Sequence, residues 1–556
     1  MLSAAAAALL AAALAAVPVQ ADTEITNSTS TALSTSTSGN IVIDTGGSVN
    51  ITQAATPAIT INSNNSVTNA GSIANANTDT GIGVLIDTTS GNLLTTNGLT
   101  SAGTIDLGGN GTTKRGIVIQ GGNTFYGPVT LTTLTATSLT GATAATQASA
   151  MIVQGDSSAA FLLVQGTKVT SNILLGGGGI VQNASVNSTA SNSIMVDLDG
   201  TLNGNLILTG GLSGVGANLI GVQTLGGIHS CASDTAAPSG FTCATSSGGT
   251  FINAGAISLI GTQNFNTRGG NPEAGSAVII GGSIDGGFLN AGPGTSNNLS
   301  QAQISSSGLI VSGVSQPTFL IDPTKSITGT LTSPRGPVVL GPVTADVDAI
   351  DPGYSFINRG TITAQPTDPD RSSAAMVIQG ASSTYFTCLS TVSGGSCNTT
   401  PQSRTDNVVR TVNGASVTTP VTYTAGGGLL NTGTIAVQAS TSSQTVTSSG
   451  ITSATALYIG AFTTVPRLDV KSEAINASSN TAATISATVA GIGQGSAFGV
   501  ILGRNSNVPV INVSQGASIT ATVSTNTVAP SKNIATATAP FSLVSEAILD
   551  QGGTLK

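Results

Sequence analysis

The chain has 556 residues, of which 7% are charged and 3% aromatic, with no Trp, 71 Gly and a formal net charge of −8. Ordinary domains carry about 25% charged residues, so a conventional enzyme surface is disfavoured, and 15 basic residues in an acidic chain exclude nucleic acid as a partner. A mean hydropathy of +0.30 excludes highly charged disorder, the Gly residues lack the triplet period of collagen, and no second long apolar run follows the first, which excludes a multi-span membrane protein.

Leu2 to Val17 form an Ala/Leu run followed by Pro18-Val19-Gln20-Ala21. Val19 and Ala21 occupy the small-residue positions of a signal peptidase site, so residues 1–21 read as a signal peptide cleaved before Asp22. The basic start of such a leader is missing: no Lys or Arg precedes Lys114.

Residues 22–556 read as one repetitive unit. A degenerate apolar-Asn-small-Gly-small-Ile segment recurs at Val67 to Ile73, Phe251 to Ile257, Phe356 to Ile362 and Leu429 to Ile435, with weaker copies at Ser101 to Ile105 and Phe288 to Gly292. An alternating apolar run follows most copies: GVLID at Gly83, GIVIQGG at Gly116, SAVIIGG at Ser276, AAMVIQG at Ala374 and ALYIGAF at Ala456. The distance between the two is 14 residues from Gly71 to Leu85, 15 from Gly103 to Val118 and 17 from Gly360 to Val377. It is 24 from Gly255 to Ile279 and 25 from Gly433 to Tyr458, where the spacer is Ser/Thr/Gly-rich. AMIVQGD at Ala150, SIMVDLDG at Ser193 and FGVILGR at Phe498 are related runs without the Asn-Gly segment. Short β-branched runs of period two are strands, and Asn-x-Gly supplies residues that tolerate left-handed backbone at a corner. Repetition without helical faces or strong hairpin signals predicts an all-β fold, a right-handed parallel β-helix or solenoid. Its Val, Ile and Leu stripe points inward, with Thr, Ser and Asn outside. At roughly 20 residues per turn and about 4.8 Å between turns, the rod is expected to be on the order of 100–130 Å long.

Further along the chain, LLGGGGIV around Gly176 to Gly179 lacks the Lys and helix of a phosphate loop and reads as a corner or bulge. In VDLDG, Asp197 and Asp199 alternate with Val196 and Leu198, which places both carboxylates on one face of a strand. Such a pair is a candidate for Ca²⁺. Asp346, Asp348 and Asp351 precede Pro352-Gly353, and Asp368, Asp370 and Arg371 surround Pro369, so both groups read as turns. Clustered Asp with Arg is also the chemistry by which some β-helix proteins cleave acidic polysaccharides. Each group reads first as solvated carboxylates. His229 is the only His, and no Gly-x-Ser-x-Gly elbow accompanies it, so a Ser-His-acid triad is not expected. Two Cys beside one His also make a weak zinc set. Tyr126, Tyr385 and Tyr423 lie near insertions and read foremost as core or corner packing.

The four cysteines, Cys231, Cys243, Cys388 and Cys397, fall in Ser/Gly/Thr-rich insertions near 229–247 and 381–405. Three pairings are possible. The local one, Cys231 with Cys243 and Cys388 with Cys397, closes short loops without ordering distant chain, and an oxidising compartment permits it.

The Asn-x-Gly-x-Ile units at Asn69, Asn253, Asn358 and Asn431, with Gly-Gly turns such as Gly281-Gly282 and Gly286-Gly287, make the chain resemble the β-helical passenger region of bacterial autotransporters (type V secretion). The resemblance covers nearly all of 22–556. It implies export through the inner membrane with the help of periplasmic chaperones, then display at the outer-membrane surface, or release, through a C-terminal barrel. No block of ten-residue amphipathic strands with aromatic girdles occurs here, and the chain ends in Lys556. Two routes follow: a barrel beyond this chain, or a separate transporter. The expected function is a structural, adhesive solenoid that presents loops to glycans or proteins of host or neighbouring cells. No cofactor, metal or catalytic residue is assigned. The alternatives are a polysaccharide-acting enzyme built on an Asp cluster and a surface-layer lattice protein.

Overall fold

The computed structural model describes residues 21–553 except for 136–145, 184–192, 244–247, 261–274, 292–307, 313–316, 323–337, 367–371, 380–391, 398–401, 442–451, 526–542 and scattered gaps of one to three residues. Of the leader 1–21, only Ala21 lies within the described residues.

Three sheets of thirteen strands each, all parallel, run the length of the molecule; they are called faces A, B and C. Each coil gives one strand to each face in turn. Val67–Asn69 lies on A, Ser72–Asn75 on B and Ile82–Asp87 on C. In the next coil Leu99–Ser101, Thr104–Leu107 and Arg115–Gln120 pair in parallel with those three. The fold is therefore all-β, a parallel β-helix. A fourth strip, D, lies between a C strand and the A strand that follows. It contains Leu93–Leu94, Thr124–Tyr126, Lys168–Thr170, Thr201–Asn203 and Gly227–His229, and single bridges extend it from Ile228 through Ile284 to Leu340.

Period-two alternation produces this arrangement. In Leu206–Leu208, Leu206 and Leu208 are buried and Ile207 faces outward, half-buried. Repetition of the pattern gives one continuous core from Ile41 to Val508, in which each fully buried aliphatic side chain contributes about 1.5–3 kcal/mol. Phe251, Phe288 and Phe356 stack in register on face A. Phe319 from face C packs edge-on, with ring centroids 4.8 and 5.1 Å from Phe288 and Phe356. No helix among the described residues is long and apolar enough to cross a membrane.

The two sequence segments map onto fixed places in the coil. The Asn-Gly segment is the A-to-B corner, and the run after it is the C strand. Leu85 pairs with Val118, and Val377 with Tyr458, in one outward row of face C. Ser193 and Phe498 mark C strands too, but Ala150–Gln154 lies on face B. Gly176 to Gly179 forms an A-to-B corner between Ile173–Leu175 and Gly179–Asn183, with Gly177 and Gly179 at φ of 75° and 94°.

Four expectations change. First, the corner Asn residues point inward: Asn69, Asn253, Asn290, Asn358 and Asn431 are fully buried. Their amides form a ladder in which Asn253 Nδ2 donates to Asn290 Oδ1 at 2.8 Å. Asn290 Nδ2 donates to Asn358 Oδ1, and Asn358 Nδ2 to Asn431 Oδ1, both at 2.7 Å. Second, the corner glycines are not needed for left-handed backbone, since Gly71, Gly103, Gly255 and Gly433 are absent from the positive-φ residues. A Cβ on any of them would come within 3.0 Å of the backbone of the coil below, so close approach is what requires Gly. The stacking draws both corner N–H groups onto one carbonyl: Thr432 N and Gly433 N donate to Asn358 O at 2.8 and 3.0 Å.

Third, the rod is shorter than a 20-residue turn implies. One coil takes 18 residues, from Thr23 to its ladder partner Ile41, but 68 separate Asn290 from Asn358 and 73 separate Asn358 from Asn431. Thirteen coils stack to about 60 Å. Fourth, hairpins do occur. Gln402–Val412 pairs antiparallel with Ala415–Ala425, so the irregular stretch that begins near 381 continues past 405.

Candidate functional site

Strip D ends its strands on Tyr126, Thr170, Asn203 and His229, which brings polar side chains from four coils to one outer corner. The chain leaves this corner at Ser230, makes a 3-10 turn over Cys231–Ser233 and returns to Cys243. A Cys231–Cys243 disulfide closes the loop, with Cα atoms 5.9 Å apart. Asp234 Oδ2 accepts from Thr170 Oγ1 at 2.7 Å, and Thr170 Oγ1 accepts from Asn203 Nδ2 at 3.2 Å. Tyr126 OH donates to Ala236 O at 3.2 Å, and its ring meets Phe241 edge-on at 5.1 Å. Tyr126 is thereby 1% exposed. Burial first, then the charge of Asp234, pushes its phenol pKa up. The loop is docked on three earlier coils of the rod and is no free tether. The Cys spacing marks the loop in the sequence. Thr170, Asn203 and Asp234 carry no signal there, because their juxtaposition depends on register across coils.

His229 Nδ1 lies 3.1 Å from Asp285 Oδ1, and both side chains are partly exposed. The bridge between Ile228 and Ile284 sets them side by side on strip D. Asp285 Oδ2 also accepts from Ser230 N at 3.3 Å.

The acidic groups have different fates. Asp346, Asp368, Asp370 and Arg371 lie outside the described residues, as do Cys388, Tyr385 and the side chains of Cys397 and Tyr423. Asp348 is not solvated. It is fully buried and paired with the equally buried Arg359, which Asp351 also reaches at 3.1 Å. Asp351 in turn holds Lys471 at 3.1 Å. These contacts pin a segment that lays Val343, Val347 and Tyr354 over Ile252, Leu289, Ile357 and Leu430 on the outside of face A. Tyr354 OH donates to Asp469, and Arg467 sits 5.6 Å over the Tyr354 ring. The sequence around Asp348 thus encodes a structural clamp.

Asp197 and Asp199 do share one side of their segment. Asp197 is 9% exposed and accepts from Gln223 Nε2 at 3.2 Å. Burial, followed by the neighbouring Asp199, pushes its pKa up to about 7, while Gln223 and Arg115 oppose the rise. Asp199 is also raised, chiefly by burial. Burial of Asp197 sets the pair apart from the solvated carboxylates expected from the sequence. No group of three His, Cys, Asp or Glu among the described residues is arranged to hold a metal ion. A cation is present elsewhere: Lys114, fully buried, donates from Nζ to the carbonyls of Leu107, Gly108 and Gly109 at 3.2, 2.7 and 2.5 Å.

Comparison with known proteins finds no matching family, no matching curated protein and no matching solved structure.

Proposed function

We propose that the chain is the passenger of an autotransporter-type system, a surface-exposed β-helix that works in adhesion by presenting stapled loops on a rigid stem. The observation that carries this reading is the loop from Cys231 to Cys243, held outside the coils by its disulfide and by contacts to Tyr126 and Thr170. The leader-like run at 2–17, an exterior with few charges and the repetitive parallel coil all suit a protein that folds after export. Its partners on this reading are glycans or proteins of another cell surface. The test is fractionation of source cells with surface protease treatment and peptide mapping. Peptides of this chain in the outer-membrane or medium fraction, joined to a barrel sequence past Lys556, support the proposal. Confinement to the cytoplasm refutes it.

A second reading, a polysaccharide-acting enzyme, is favoured only by the proton-holding pair Asp197 and Asp199, since Asp348 is committed to Arg359. Release of reducing ends from acidic glycans by the intact chain, lost in Asp197→Asn with the fold retained, would establish it.

A further inference from the structure

The loop from Cys231 to Cys243 covers part of strip D. The contacts that hold the loop down include Asp234 on Thr170, Ala236 on Tyr126 OH, Phe241 against the Tyr126 ring, and the turn at Cys231–Ser233 against Thr201–Asn203. Most other hydrogen bonds seen within the loop are local, such as Asp234 N to Cys231 O, Ala237 N to Asp234 O and Phe241 N to Pro238 O. They form turns but do not attach it to the rod. Neither Phe241 nor any other loop residue except Cys231 is fully buried. What lies beneath is different: Tyr126 is 1% exposed and belongs to a strand of strip D that pairs with Leu93–Leu94 on one side and Lys168–Thr170 on the other, without any pairing to the loop.

We propose that the Cys231–Cys243 bridge is a redox-controlled fastener. With the bridge closed, the loop is docked and is the surface presented to a partner. With the bridge reduced, the loop leaves the rod, and the Tyr126 ring with the Thr170 hydroxyl and Asn203 amide becomes the presented surface. Closing a short loop removes freedom from the undocked state, and the docked contacts depend on that restriction. The opening step is thiol–disulfide exchange: two thiols of an external dithiol reduce the bridge, Cys231 and Cys243 each gain a hydrogen, and the dithiol is oxidised to its own disulfide. Cys243 is half-buried and Cys231 is covered, so attack is directed to the Cys243 sulfur. This regulation rests on the reading of the loop as the contact site, but its test does not use adhesion, so the two fail separately.

The test is nitration of tyrosine in the full chain, read by peptide mass spectrometry. The samples are the oxidised protein, the protein reduced with dithiothreitol and alkylated, and the Cys231→Ser/Cys243→Ser variant. Tyr126 is expected to be protected in the oxidised protein and at least tenfold more reactive in the other two. Tyr354, clamped on face A by Asp469 and Arg467, serves as the internal standard, and the far-ultraviolet β signal should be unchanged. Protection of Tyr126 in the variant would overturn the proposal, because the loop would then be docked by its contacts alone. Reactivity in the oxidised protein would overturn it as well, and so would a loss of the β signal on opening the bridge, since the disulfide would then hold the rod and not a cover.

Discussion

Replacing Asn358 with Ala should cost much more than the same change at Asn253, although both residues are fully buried and occupy the same ladder. Asn358 sits mid-ladder. Its Oδ1 accepts from Asn290, and its Nδ2 donates to Asn431 Oδ1 at 2.7 Å and to Thr434 O at 3.3 Å. Truncation leaves the Asn290 donor and the Asn431 acceptor buried without partners, at about 1–3 kcal/mol each. The expected loss is therefore about 2–6 kcal/mol before any cavity contribution. Asn253 stands at the end of the ladder, and its Oδ1 already lacks a partner. Its truncation removes that unsatisfied oxygen and strands only Asn290 Oδ1, so the net loss should be about 1–2 kcal/mol. Chemical unfolding followed by circular dichroism, with the slope compared between variants to check that the same unit unfolds, measures the difference. Equal destabilisation of the two variants, within about 0.5 kcal/mol, would refute the view that a directional amide ladder couples these coils.

Three further outcomes are expected. Gly433→Ala should destabilise by about 3 kcal/mol or more, because the new Cβ meets the Arg359–Gly360 backbone of the coil below. Gly122→Ala, at φ 78° in open space, should cost only about 1 kcal/mol in the same unfolding assay. Asp197 has a folded pKa raised from 3.8 to about 7, so the folded state holds its proton more tightly than the unfolded chain. Its contribution is full below pH 4 and is lost as pH rises through 7, with a ceiling on the order of 4 kcal/mol. The stability of the wild type relative to Asp197→Asn should therefore fall between pH 4 and pH 8, and a flat difference would contradict the assignment. Asp348→Asn should cost about 3 kcal/mol by leaving buried Arg359 short of one carboxylate, while the Asp348→Leu/Arg359→Met double variant should cost less; unfolding midpoints of the two variants decide the order.

The strands were legible because alternation of apolar residues is a local property. Leu85, Val118, Val377 and Tyr458, the centres of four alternating runs, fall in one row of face C. The Asn-x-Gly unit was recognisable as a corner, but its physics was not. Whether Asn points in or out, and whether Gly serves φ or proximity, depends on the coil stacked below. Coil length was misjudged because insertions of very different size carry the same Ser/Thr/Gly composition as the coils. For the site, the cysteine spacing located the loop, while the side chains that dock it, Tyr126 and Thr170, are 61 or more residues away from Cys231 in the chain. Arg359 gives a parallel case: it stands in the place of a small residue in a corner unit, and only the fold shows that Asp348 and Asp351 answer it.

The most direct test of the functional account is adhesion of beads coated with the full chain to cells and to matrix, compared with a chain in which 232–242 is replaced by a Gly/Ser linker of equal length. The account predicts that the intact chain adheres and that the exchanged chain, with its β signal unchanged, does not. Equal adhesion by both chains, or none by the intact chain on any surface tried, would contradict the claim that this rod acts by presenting its stapled loop.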